Sequence, residues 1–103
     1  MVDDIVSRVA PIIQDFGGFL KVLNPSLGAT EHSLVLLYQC GEKGATFDQL
    51  RDWVRPKMRQ NLKRTLDKLV DGHDLVHFDG SKYLITRLGE GEVERRKLIY
   101  AQQ

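Results

Sequence analysis

The Arg55–Pro56 step divides this chain more sharply than any other pair of residues. A residue that precedes proline avoids the helical region, so a helix arriving there must end by Arg55. Pro56 has no N–H to donate and its φ is preset, which suits the first position of a new helix. Upstream, Thr46 with Gln49 three residues later matches a capping box and predicts a short helix that buries Phe47, Leu50, Trp53 and Val54. Downstream, the apolar spacing predicts a longer helix over 56–70, closed by Asp71–Gly72. The middle of the chain therefore reads as two helices joined by a tight turn.

The flanks extend this order. Leu75 to Phe78 and Lys82 to Thr86 read as strands, and Asp79–Gly80 between them is a hairpin signal. A last helix is expected over about 90–100, with Glu90, Glu92 and Glu94 near its start and Arg95, Arg96 and Lys97 near its end, as the helix dipole favours. Before the capping box, Thr30 to Cys40 reads as a helix with Leu34, Leu37 and Tyr38 inward, stopped by Gly41. Residues 2–23 carry Val2, Ile5, Val6, Val9, Ile12, Ile13, Phe16, Phe19, Leu20 and Leu23 at spacings of three and four, which predicts a helical segment interrupted at Pro11 and at Gly17–Gly18.

Charge is unevenly distributed along the chain. The formal net charge is only +1. Between Arg51 and Lys68, however, Arg51, Arg55, Lys57, Arg59, Lys63, Arg64 and Lys68 face only Asp52 and Asp67. A local surplus of this kind points to a polyanionic partner, although a solvated helix face has the same composition. Taking about 100° per residue from Met58, the side chains of Met58, Leu62, Leu66 and Leu69 share one sector, with Gln60 and Arg64 opposite and Lys57 and Asp67 beside them.

The phrase Leu66-x-x-Leu69-Val70-x-Gly72-x-x-Leu75-Val76, followed by Gly80-x-x-Tyr83-x-x-Thr86-x-x-Gly89, resembles the second half of winged helix-turn-helix regulators. The resemblance spans about 30–89, and the layout with a helical segment on either side is similar to the small MarR, PadR and ArsR groups. Two features depart from the family pattern. The Val54-Arg55-Pro56 turn lacks the usual small residue, and the wing is short, with only His77, Ser81 and Lys82 near its tip. The resemblance implies a single α+β, mainly helical domain over 1–103. It would consist of an N-terminal helical segment (2–23), a winged core (30–89) with three helices and a two-stranded wing, and a C-terminal helix (90–103). It also implies sequence-specific binding of double-stranded DNA by a small transcriptional regulator or repressor, with helix 56–70 in the major groove.

On that reading Lys57, Gln60 and Arg64 contact bases, since Arg and Lys suit guanine and Gln suits adenine. Arg55, Lys63, Lys68 and Lys82 contact phosphates, and Asn61 is lateral and can reach either. The other reading is a winged-helix module that binds protein and not DNA; the basic stretch weighs against it. Ten large apolar residues in the first segment exceed what a small core can cover, so a homodimer is expected through Val9, Ile12, Ile13, Phe16, Phe19, Leu20, Val93 and Tyr100.

Other classes have less support. The sequence contains no Gly-rich phosphate loop, no Gly-x-Ser-x-Gly and no His-Glu-x-x-His, so an enzyme is not expected. His73 and His77 are four apart, but Gly72 ends the helix before them, and neither a metal site nor a cofactor is expected. Cys40 is the only cysteine, which excludes an intramolecular disulfide and reads as a small buried thiol. Phe47 and Trp53 read as core. The apolar runs are too short to span a bilayer, and the opening Val2-Asp3-Asp4 does not resemble a secretory leader. A cytoplasmic, nucleoid-associated protein is the expectation.

Overall fold

The computed structural model describes residues 12–24 and 26–98. Within them the chain is α+β and mainly helical, with five α-helices and two small antiparallel sheets.

The largest departure from expectation lies at the start. Residues 12–23 are not helical. They form a hairpin of β1 (Ile13–Phe16) and β2 (Phe19–Val22), in which Ile13 pairs with Val22 and Phe16 with Phe19. Gly17 and Gly18 have φ of +67° and +102°, the positive values that a two-residue hairpin turn requires and that glycine adopts without strain. Asp15 Oδ1 accepts the Gly18 N–H at 2.7 Å and closes the turn. The glycine pair that interrupts a helical pattern is thus the turn itself. Along β2 burial alternates, with Leu20 and Val22 inward and Phe19 and Lys21 outward.

Helix α1 (Ala29–Cys40) is the centre of the molecule. Every residue from His32 to Tyr38 is buried, so the helix is enclosed on all sides and not packed along one stripe. It begins one residue before the expected Thr30, with Gly28 as its cap, and ends where Gly41 turns the chain with φ +61°. A 3-10 turn over Gly41–Lys43 leads to Ala45, which exchanges two backbone hydrogen bonds with Tyr83, at 2.9 and 2.7 Å.

Helix α2 (Phe47–Trp53) starts with the expected capping box. Thr46 Oγ1 accepts from the Gln49 N–H at 3.2 Å, and Gln49 Oε1 accepts from the Thr46 N–H at 3.0 Å. Val54 and Arg55 are extended, and Pro56 opens the next helix. The segment expected as one helix over 56–70 is instead broken. Helix α3 (Pro56–Arg59) and helix α4 (Leu62–Asp67) are separated at Gln60–Asn61, where Asn61 leaves the helical region with φ −108° and ψ 13°. A π-turn over Lys68–Gly72 widens the end, because His73 N–H reaches back five residues to the Lys68 carbonyl. The inward sector is as expected: Leu62, Leu66 and Leu69 are buried and Met58 is half-buried against them.

Strands β3 (Val76–Phe78) and β4 (Tyr83–Ile85) form the second hairpin. Its two-residue loop is Gly80–Ser81, one position later than expected. The Asp79 N–H donates to the Lys82 carbonyl, and Asp79 Oδ1 accepts from the Ser81 and Lys82 N–H groups. Helix α5 (Arg87–Arg95) starts earlier than the expected 90. Thr86 caps it by accepting the Gly89 N–H at 3.0 Å. Tyr38 donates to Glu94 at 2.8 Å and Arg96 pairs with Glu31 at 3.0 Å, tying the end of α5 to α1.

One core unites these elements. It contains Leu34 to Leu37 from α1, Leu50 and Val54, the α4 leucines, Val76, Tyr83, Val93 and Leu98. Ile12, Leu20 and Val22 of the first hairpin belong to it too. Three expected interface residues are therefore corrected: Ile12, Leu20 and Val93 are buried against the protomer's own core. Ile13 is half-buried, Phe16 and Phe19 are exposed, and Val9 and Tyr100 lie outside the described residues.

Candidate nucleic-acid interface

The α3–α4 segment has two distinct sides. Its apolar side is held by Leu62, Leu66 and Leu69. On its outer side Lys57, Gln60, Asn61, Lys63, Arg64 and Lys68 are all exposed. This partition follows from spacing alone, because residues three and four apart share a helix face and the buried leucines orient the rest. The break at Gln60–Asn61 falls in the middle of the exposed set, so Lys57 and Gln60 extend from one short helix and Lys63, Arg64 and Lys68 from the next turns.

The cations are not equally free. Lys63 Nζ lies 2.7 Å from Asp67 Oδ1, and this hydrogen bond raises the ammonium above its ordinary pKa. The pair is exposed, and exposed pairs of this kind exchange readily for other partners. Lys82, at the tip of the second hairpin, is half-buried. Arg59 is turned inward along the chain: its Nε donates to the Arg51 carbonyl at 2.8 Å and Nη2 to the Asp52 carbonyl at 3.4 Å. Those carbonyls belong to the last turn of α2, where a cation is favoured by the helix dipole.

Arg55, expected as a phosphate contact, makes an internal hydrogen bond. Its Nη2 donates to the Val22 carbonyl at 3.2 Å, and its Nε is buried. The guanidinium joins the first hairpin to the α2–α3 turn and is only partly open to solvent.

Beside Arg55 lies a cavity of about 280 Å³ between β2, α1 and the α2–α3 turn. His32 and Trp53 line it. Reasoning from the sequence missed this feature. Phe19, His32, Trp53 and Arg55 are scattered over thirty-odd positions, and no spacing rule links them. Cys40 is half-buried and burial pushes its thiol pKa up, as an unreactive thiol requires. Among the described residues no three His, Cys, Asp or Glu side chains gather as a metal site, and no helix is long and apolar enough to cross a membrane.

No family model, curated protein or solved structure matches the chain.

Proposed function

We propose that the protein is a winged helix-turn-helix binder of double-stranded DNA, acting as a small transcriptional regulator and not as an enzyme. One observation carries the reading: Lys57, Gln60, Asn61, Lys63, Arg64 and Lys68 are exposed together on a segment whose opposite side is buried. Element order supports it. Two helices meet at a tight turn, a hairpin follows, and Ala45 adds a one-residue bridge to the inner hairpin strand. In this reading α3–α4 enters the major groove, with Lys57, Gln60 and Arg64 at base edges and Lys63, Lys68 and Lys82 at phosphates. Asn61 lies between the two sets. Arg55 is left out because its guanidinium is engaged inside.

A second copy is part of the same proposal. Phe16 and Phe19 are 54% and 44% exposed and pair at the free end of the first hairpin. Covering them in a homodimer would place two reading segments on one duplex, as half-site recognition requires. Action in the cytoplasm, at the nucleoid, follows from the DNA reading.

The test is fluorescence anisotropy on a duplex of about 30 base pairs over a salt series. Micromolar binding is expected, with log K falling against log salt by about 0.9 per neutralised phosphate. Absence of binding at low salt would overturn the proposal and move the assignment to a protein-binding winged helix.

A further inference from the structure

The cavity beside Arg55 has the composition of a ligand site. Its apolar wall is Phe19, Val22, Trp53, Val54 and Pro56. Its polar contribution is a cationic majority, Lys21, Arg55 and Arg59 against Asp52. His32, 1% exposed, also lines it.

Two of these polar groups have unused hydrogen-bonding capacity. His32 Nδ1 lies 3.2 Å from the Gly28 carbonyl, which can only accept, so Nδ1 carries the proton and Nε2 is left with a lone pair. That Nε2 is buried and has no partner. Burial disfavours the imidazolium, and the nearby Arg55 charge opposes it further, so the ring stays a neutral acceptor. Arg55 Nε is likewise buried without a partner, although Nη2 of the same group is bound to Val22. An unmade hydrogen bond at a buried group is costly, and both residues border the cavity. Partners for these groups would be an acceptor for Arg55 and a donor for His32.

We infer that this cavity is a binding site for a small organic carboxylate with an apolar, ring-bearing body. The carboxylate would pair with Arg55 under the combined field of Lys21 and Arg59, and the body would lie against Trp53, Phe19 and Pro56. A hydroxyl or N–H on the body would complete His32 Nε2, and a carboxylate without that donor would engage the Arg55 side alone. Pockets of this kind, mostly apolar with few convergent polar groups, are the usual form of small-molecule sites. The inference does not depend on DNA binding.

Trp53 is the only tryptophan in the chain, so the protein carries its own reporter in the cavity wall. Phenylacetate, which absorbs little at the excitation wavelength of tryptophan, is the probe. Its expected effect is a saturable change in Trp53 fluorescence with Kd on the order of 0.1–1 mM, the range open to so small a ligand. 2-Phenylethanol, of like shape without charge, should bind at least about tenfold more weakly, and 2-phenylethylamine should not bind. In a 1H–15N spectrum the Arg55 Nε–H and Trp53 indole N–H signals should move with the titration. Arg55→Gln should weaken phenylacetate at least about tenfold. If that variant does not fold, Lys21→Gln on the exposed face of β2 should weaken it about threefold, a change set by the loss of one partly screened charge. Equal binding of the amine, signals moving elsewhere, or no saturable change would overturn the inference and leave an ordered water as the partner of both groups.

Discussion

Replacing Gly89 with alanine tests the close approach of α5 to the loop before β3. Gly89 sits in the first turn of α5, and a Cβ built there would overlap the Leu75 carbonyl oxygen and lie 2.6 Å from Ile85 Cγ1. The Leu75 carbonyl cannot yield freely. The Leu75 carbonyl accepts from the Thr86 N–H at 3.0 Å, and the Leu75 N–H donates to Leu69 at 3.0 Å. Thr86 Oγ1 donates to the Asp74 carbonyl at 2.7 Å while accepting from Gly89, so the helix start is pinned to the same loop. Reaching van der Waals separation therefore requires α5 to retreat by roughly 1 Å. Overpacking of this kind costs about 1–3 kcal/mol. A weakened Thr86–Leu75 hydrogen bond adds about 1 kcal/mol. The better helix propensity of alanine returns up to about 1 kcal/mol. The net expectation for Gly89→Ala is a loss of about 1–4 kcal/mol, a fall in Tm of at least roughly 4–8 °C for a domain of this size. Gly91→Ala is the matched control. It lies in the same helix with nothing within 4 Å of its Cβ, and should stabilise by about 0.5–1 kcal/mol. Urea and thermal melts of the two variants decide the matter. If Gly89→Ala melts at or above the parent, the close approach of α5 to Leu75 does not exist.

Four further outcomes are expected. Thr46→Ala should lower stability by about 1 kcal/mol in a urea melt, because the Gln49 N–H loses its acceptor and one arm of the capping box is gone. Because burial holds the His32 imidazole below its ordinary pKa, the unfolded chain binds its proton more readily; stability is then intact above about pH 6.5 and falls as acid approaches the folded value. The urea midpoint should drop between about pH 7.5 and pH 5, and less so in His32→Gln. Glu31, Asp79 and Glu92 are held below their usual values and titrate under that window. Arg64→Ala should cost about 1–3 kcal/mol against a selected duplex but little against a random one if it reads a base, whereas equal loss on both would make it a phosphate contact. Phe16→Glu should convert a dimer into a folded monomer in analytical ultracentrifugation; a variant that still sediments as a dimer would refute the hairpin interface.

Much of the second half was legible because its signals are local. Thr46 with Gln49 and Arg55 before Pro56 each act within one turn of chain and appear at the expected place, whereas the last helix, expected from about 90, starts at Arg87. The spacing of Leu62, Leu66 and Leu69 was enough to say which cations of the basic stretch face outward. What failed were boundaries and one whole segment. The break at Gln60–Asn61 and the π-turn after Asp67 leave no mark in residue type. Over residues 12–23 the dense apolar run satisfies a period of 3.6 and a period of 2 together, so periodicity does not separate helix from hairpin there. Gly17–Gly18 was the deciding turn signal, but its weight depends on what the flanking strands can pack against.

The sequence by itself determined the caps, the breaks at proline and glycine, the basic outer face of α3–α4 and the absence of an intramolecular disulfide. These follow from covalent geometry, hydrogen-bond inventory and charge, which act over a few residues. Only the tertiary structure decided that residues 12–23 form a hairpin seated on α1 and α2, that Val93 lies in the core, and that Arg55 turns inward to Val22. It alone brings His32, Trp53 and Arg55 around one cavity. Those outcomes depend on which surfaces meet across long stretches of chain, where burial of apolar area outweighs local preference and a side chain's role is set by neighbours that its own position does not name.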